Sequence, residues 1–156
     1  MKNYKKGIKR RKTLQAPLRH NPEFGAGREY LFAIGRRKEA SAMVRLYKNG
    51  KGDLAVNGLA IEKYFPQVAE QEMIKSPLLA VGQNDKVDVS AIVRGGGKRG
   101  QSESVKLAVA RALLLLNPMF RANLRKSGFL TRDSRRKERK KPGLRRARRS
   151  PQWAKR

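Results

Sequence analysis

Residues 131–156 cannot build a core. This stretch holds thirteen Lys or Arg and two acids, and its apolar side chains besides Pro142 and Pro151 are Leu144, Ala147, Trp153 and Ala154. Its charges repel one another, and it buries too little to offset the entropy of ordering. Alone it is expected to be extended or disordered, and a polyanion is expected to order it. Fully stretched it spans roughly 85–90 Å at about 3.3–3.6 Å per residue, so its tip acts far from the domain that carries it.

The positive charge is uneven along the chain. Residues 1–29 hold nine basic and two acidic groups, residues 30–130 seventeen and eight, and residues 131–156 thirteen and two, within a total of +27. We therefore divide the chain into a basic N-terminal extension (1–29), a globular domain (30–130) and an extended basic tail (131–156). About 100 central residues suffice for a single core. A charge this large selects anionic partners. No apolar run reaches the ~20 residues of a spanning helix, and the tails lack the bulky apolar face of an interfacial one, so no membrane is called for.

Cysteine is absent, which excludes disulfides and thiolate metal sites, and His20 is the single histidine. No metal or cofactor is expected, and a Ser-His-Asp arrangement is disfavoured because the one histidine sits in a basic arm. The N-terminal segment has no apolar signal region. It shares an acid-poor, basic composition with organellar presequences, but its scarcity of serine and of apolar periodicity favours a nucleic-acid-binding arm.

Between the arms the pattern is mixed. Tyr30–Ile34 favours a strand. Ala42, Val44 and Leu46 alternate with Met43, Arg45 and Tyr47, as in a half-buried strand. Asn49-Gly50-Lys51-Gly52 marks a tight hairpin turn, with Asp53–Asn57 as the return strand and Gly58 breaking it. Ile61, Tyr64 and Phe65 suggest one helical turn before Pro66. Val68–Lys75 reads as a helix stopped at Ser76-Pro77, followed by an apolar loop or helix end to Gly82. Val87, Val89, Ala91 and Val93 form another alternating strand. After a flexible Gly95–Gly100 loop, Ser102 caps the best helix, with Glu103 in its first turn and Val105, Ala108, Val109, Ala112, Leu113 and Leu116 as its buried stripe. Asn117-Pro118 ends it, and a short helix spans Met119–Lys126. Gly128-Phe129-Leu130 leads into the tail.

Several basic groups then fit an RNA backbone. Gly95 and Gly100 have the spacing of a nucleotide-binding loop, but Gln101 stands where that motif needs lysine, so triphosphate chemistry and a small-molecule kinase are disfavoured. Bare glycine backbone instead admits phosphates, which Lys98 and Arg99 neutralise. Arg36, Arg37 and Lys38 form a second cluster at a strand end, and Arg125 and Lys126 a third. In the tail, Arg132, Arg135, Arg136, Lys137, Arg139, Lys140, Lys141, Arg145, Arg146, Arg148 and Arg149 supply the remaining RNA-phosphate candidates, and the arginines that dominate its distal half hold phosphates bidentately. A solvating tail has no use for an indole, so Trp153 reads as a stacking contact with a base or ribose. The central acids show no general acid–base pairing and are expected to bridge and cap.

Several stretches, in order, resemble the bacterial type of the small-ribosomal-subunit protein nine family. They are Gly35-Arg36-Arg37-Lys38-Glu39-Ala40, Val56-Asn57-Gly58, Tyr64-Phe65, Gly95-Gly96-Gly97 with Gly100-Gln101, Ala110-Arg111-Ala112-Leu113, Gly128-Phe129-Leu130-Thr131-Arg132-Asp133, Lys140-Lys141-Pro142-Gly143, Ala147-Arg148-Arg149 and the closing Lys155-Arg156. The resemblance spans about residues 30–156. It implies an α+β fold of the ribosomal-S-five-domain-two-like kind: a four-stranded sheet with helices on one side and a left-handed βαβ crossover, against the common hand. It implies a non-enzymatic constituent of the small-subunit head that binds rRNA beside neighbouring head proteins. Its tail would touch P-site tRNA through Lys155 and Arg156, with Trp153 beside them. Met43 stands where the family commonly has Arg, Ser104 replaces a small apolar residue, and Trp153-Ala154 replaces an aromatic followed by Ser. A cytoplasmic ribosome and an organellar one both fit. The competing reading is a general nucleic-acid-condensing or RNA-chaperone protein.

Overall fold

The computed structural model describes residues 27–154; His20, the rest of the N-terminal segment up to residue 26, Lys155 and Arg156 lie outside the described residues. Strands β1 (Tyr30–Arg37) and β2 (Ala40–Lys48) form an antiparallel hairpin in continuous register from Tyr30↔Tyr47 to Arg37↔Ala40. Lys38 turns the corner at φ 51°.

The expected hairpin at Asn49–Gly52 is corrected. The chain does turn there, with Asn49 at φ 54° and Gly52 at φ 89°. The following strand β3 (Leu54–Val56), however, does not pair with β2. Strand β5 (Val87–Arg94) inserts between them, antiparallel to β2 and parallel to β3. Asp88 explains the choice. Its Oδ1 accepts the N–H groups of Lys51 (2.7 Å) and Asp53 (3.2 Å), and its Oδ2 accepts Arg28 Nη1 (2.9 Å). Burial pushes this carboxyl upward, but the bonds from Lys51, Arg28 and Asp53 outweigh that and hold it below its ordinary value. Gly50 lets the loop approach, since a Cβ there would stand 2.3 Å from the Asp88 backbone nitrogen and from its Oδ1.

The sheet has five strands in the order β1-β2-β5-β3-β4, where four were expected. The extra strand β4 (Leu59–Ala60) is short and pairs with β3. Asn57 (φ 50°) and Gly58 (φ 81°) form the two-residue turn between them, the left-handed geometry that suits Asn-Gly. Asn57 also extends the neighbouring ladder with its side chain: Nδ2 donates to Val93 O (3.2 Å), and Oδ1 accepts Val93 N–H (2.9 Å).

Helix α1 (Ile61–Tyr64) is the single turn foreseen. Helix α2 runs Val68–Ala80, through the proline expected to stop it. Pro77 has no N–H for Met73 O, and Ser76 Oγ donates to that carbonyl instead (2.8 Å). Helix α3 runs Lys98–Leu116, so it starts within the Gly-rich loop, and Ser102 lies inside it rather than capping it. Glu103 is consequently beyond the first turn. A 3₁₀ turn (Pro118–Phe120) and α4 (Arg121–Lys126) complete the domain.

Helix α3 packs on β1 and β2, and α2 packs on α3. Val105, Ala108, Val109, Ala112 and Leu113 are fully buried, as their spacing predicts. Contact is closest at Gly35, where a Cβ would lie 2.0 Å from Ser104 O and 2.7 Å from Ala108 N. Ser104 is buried with its hydroxyl donated to Gln101 O (2.7 Å), so the helix accommodates it without an unmet polar group. Gly35→Ala is expected to destabilise the domain by about 1–3 kcal/mol or more, because helix and hairpin must separate. Urea unfolding with unchanged midpoint and slope would contradict that packing.

Candidate nucleic-acid interface

Three of the expected basic clusters converge at one end of the hairpin. Gly95 and Gly96, at φ 69° and 63°, fold the loop against the β1–β2 turn, where added Cβ atoms would stand 2.5 Å from Glu39 O and 3.0 Å from Ala40. The glycines thus serve close packing. This brings Arg99, at the start of α3, into one cleft with Arg36. The tail root arrives at the same place, because Arg136 forms an ion pair with Glu39.

Arg37 stands apart from the other candidates. It is buried, with its side chain 9% exposed, and its guanidinium is spent on the protein. Nε pairs with Glu103 of α3, Nη2 with Asp133 Oδ2 of the tail (2.8 Å), and Nη1 donates to Arg135 O (2.6 Å). Sequence reading assigned Arg37 to a phosphate; the structure makes it the bolt between body and tail.

A polar cleft of about 290 Å³ opens over this bolt, with Arg36, Arg99, Lys106, Arg132 and Arg135 among its lining residues. Lys106 was missed. Its signal was present: Arg99, Glu103 and Lys106 fall at i, i+4 and i+7, one face of a helix. Arg99 Nε stands 3.6 Å from Glu103, while Arg132 is exposed.

Lys98 is partly committed: Nζ donates to Tyr64 O (2.9 Å) and lies 3.5 Å from the centre of the Tyr64 ring. Arg125 and Lys126 end α4, exposed. Lys137, Arg139, Lys140, Arg145, Arg146 and Arg149 are exposed along a tail that has no helix or strand from 131 to 154. Within it, Glu138 gathers Lys141 Nζ (2.8 Å) and Arg148 Nε (2.9 Å), which hold its carboxyl below its ordinary value. Arg145 N–H donates to Arg149 O (2.7 Å), closing a local loop. Trp153 is 84% exposed.

The acids of this surface are all engaged. Glu39, Glu103, Asp133 and Glu138 each take part in an ion pair, and the cations around them outnumber them. A surplus of guanidinium and ammonium groups therefore faces solvent.

Residues 35–156 match the pattern of the family described as ribosomal protein S9/S16. The chain belongs to this family. The matched span covers the whole tail as well as nearly all of the domain. Among its relatives is small ribosomal subunit protein uS9 of Amoebophilus asiaticus, 49% identical over 82% of this chain and 99% of its own. The protein of the same name from Saccharopolyspora erythraea is 50% identical over 79% of this chain and 80% of its own. That of Desulfovibrio desulfuricans is 48% identical over 82% and 98%.

Two predictions concern the bolt of this family member. Arg37→Ala is expected to speed hydrogen exchange along residues 133–136 and to lower stability by about 1–3 kcal/mol, since Glu103, Asp133 and the Arg135 carbonyl each lose a guanidinium donor. Arg37→Lys recovers only part, because one ammonium cannot span positions held by three guanidinium nitrogens. The second concerns pH. Hydrogen bonds from the Arg135 side chain and backbone, with the charges of Arg135 and Arg37, hold Asp133 far below its ordinary value of 3.8. A depressed carboxyl contributes its full attachment above its ordinary value and loses it as pH falls through the folded one. Amide spectra at residues 133–136 should stay constant from neutrality to pH 4 and shift only in stronger acid; release at pH 5 would contradict the ion pairs.

Proposed function

We propose that this chain is a non-enzymatic structural constituent of the small ribosomal subunit, binding its rRNA and reaching P-site tRNA with its C-terminal tail. The observation that carries this is the surplus of cations over engaged acids at the hairpin end and along the tail. Neutralising phosphates there releases counterions and supplies affinity, while the folded domain supplies placement. The relatives' name, small ribosomal subunit protein, supports the assignment to that particle. Its partners are then small-subunit rRNA, P-site tRNA and neighbouring head proteins, and its location is the cytoplasmic ribosome. The parallel β3–β5 pair, joined through α1 and α2, supports the crossover of the ribosomal-S-five-domain-two-like fold, to which we assign the left hand that the resemblance implies.

In this reading Arg36, Lys38, Arg99, Arg125, Lys126, Arg132 and the tail cations serve phosphates, and Trp153 stacks near Lys155 and Arg156 at the tRNA. Arg37, Arg135 and Arg136 first shape the path of the tail. Arg148 is shared with Glu138, so Arg149 is the cleaner probe. Arg149→Ala should reduce the slope of log K against log salt for small-subunit rRNA by roughly 0.7–0.9. Deleting residues 153–156 should leave subunit assembly intact and weaken P-site tRNA retention. Failure of the shortened chain to enter the subunit would show that the tip anchors rather than probes. Equal affinity for random duplex DNA and for folded rRNA would favour the condensing alternative.

A further inference from the structure

Helices cover one face of the sheet; the opposite face carries an ordered pattern of its own. The strand registers place residues in rows across β1, β2 and β5. Arg36, Ser41 and Arg94 form the first row, and Ile34, Met43 and Ile92 the second. Phe32, Arg45 and Ser90 form the third, and Tyr30, Tyr47 and Asp88 the fourth. Tyr30, Phe32 and Ile34 remain 48%, 45% and 37% exposed. The Arg45 guanidinium lies 4.7 Å from the centre of the Tyr30 ring. The one acid of the four rows, Asp88, is already engaged by Arg28 and the Lys51–Asp53 loop.

We infer that this face is a stacking platform for unpaired nucleotides of the RNA, a surface that adjoins the cationic cluster of the tail end at Arg36 and rests on the RNA-binding reading above. Phe32 and Tyr30 point the same way two residues apart on β1, which spaces their rings for bases splayed out of a helix. Arg45 stands beside them, and Arg36 and Arg94 close the end of the strip, to take phosphates or to stack in turn. Base faces are recognised in this way without dependence on sequence. A protein partner fits less well. The cores of protein interfaces exclude charge and require about 800 Å² from each side, whereas guanidinium groups interrupt this apolar strip in two of its rows.

The test uses the full-length chain and isolated small-subunit rRNA. Phe32→Ala is expected to weaken binding by about 5- to 50-fold while leaving the salt slope unchanged, because a stack and not a phosphate is lost. Phe32→Trp is expected to restore affinity, which a mere folding defect would not allow. Arg45→Gln should instead lower the slope. In assembled subunits, a benzophenone amino acid at position 32 should cross-link to a nucleotide. Cross-links to another protein or to the chain's own N-terminal segment would overturn the platform, as would wild-type binding by Phe32→Ala. If the platform fails while Arg149→Ala still lowers the slope, the RNA-binding reading survives; if full-length chain binds rRNA without salt dependence, that broader reading falls as well.

Discussion

A guanidinium clamped between two carboxylates sets where the cationic tail begins its run. Arg37 belongs to the hairpin, Glu103 to the long helix and Asp133 to the tail, and the three lie 66 and 96 residues apart along the chain from Arg37. Only an arginine can serve all three partners, since its fork presents separate donors at fixed angles. The junction would not exist without the close approach of helix to hairpin at Gly35, which brings Glu103 within reach. The direction of the tail is thus a consequence of packing in the core.

The same economy runs through the surface electrostatics. Acids are few, and those near the tail are consumed in shaping it: Glu39 receives Arg136, and Glu138 receives Lys141 and Arg148. Exposed pairs of this kind stabilise weakly in isolation. Their effect here is geometric, because they choose among paths for a chain that has no core of its own. The cations left over face outward. The tail of this family member therefore follows a preset path, and ordering it on a polyanion would cost less than ordering a fully free chain.

Much of the fold was readable from pattern. The alternation of Ala42, Val44 and Leu46, and the stripe from Val105 to Leu113, reported buried faces correctly, because periodicity follows from backbone geometry alone. Strand partners were not readable. Asn49-Gly50 announces a turn, but the pairing of β3 was decided by Asp88, more than thirty residues away. The turn at Asn57-Gly58 was in plain view and was read only as a break. The helix through Pro77 escaped notice because its rescue depends on a single hydroxyl, that of Ser76.

For the candidate site the division is similar. Composition alone established an excess of positive charge, a coreless tail and the absence of cysteine. These are additive properties that no folding can alter. Which cations are left exposed is a different matter, decided in three dimensions: adjacent residues of a strand point to opposite sides, so Arg36 meets solvent while Arg37 is locked inside. The row of aromatic and arginine side chains on the open sheet face likewise emerges only when three strands are brought into register, since its members come from stretches that are distant in the chain.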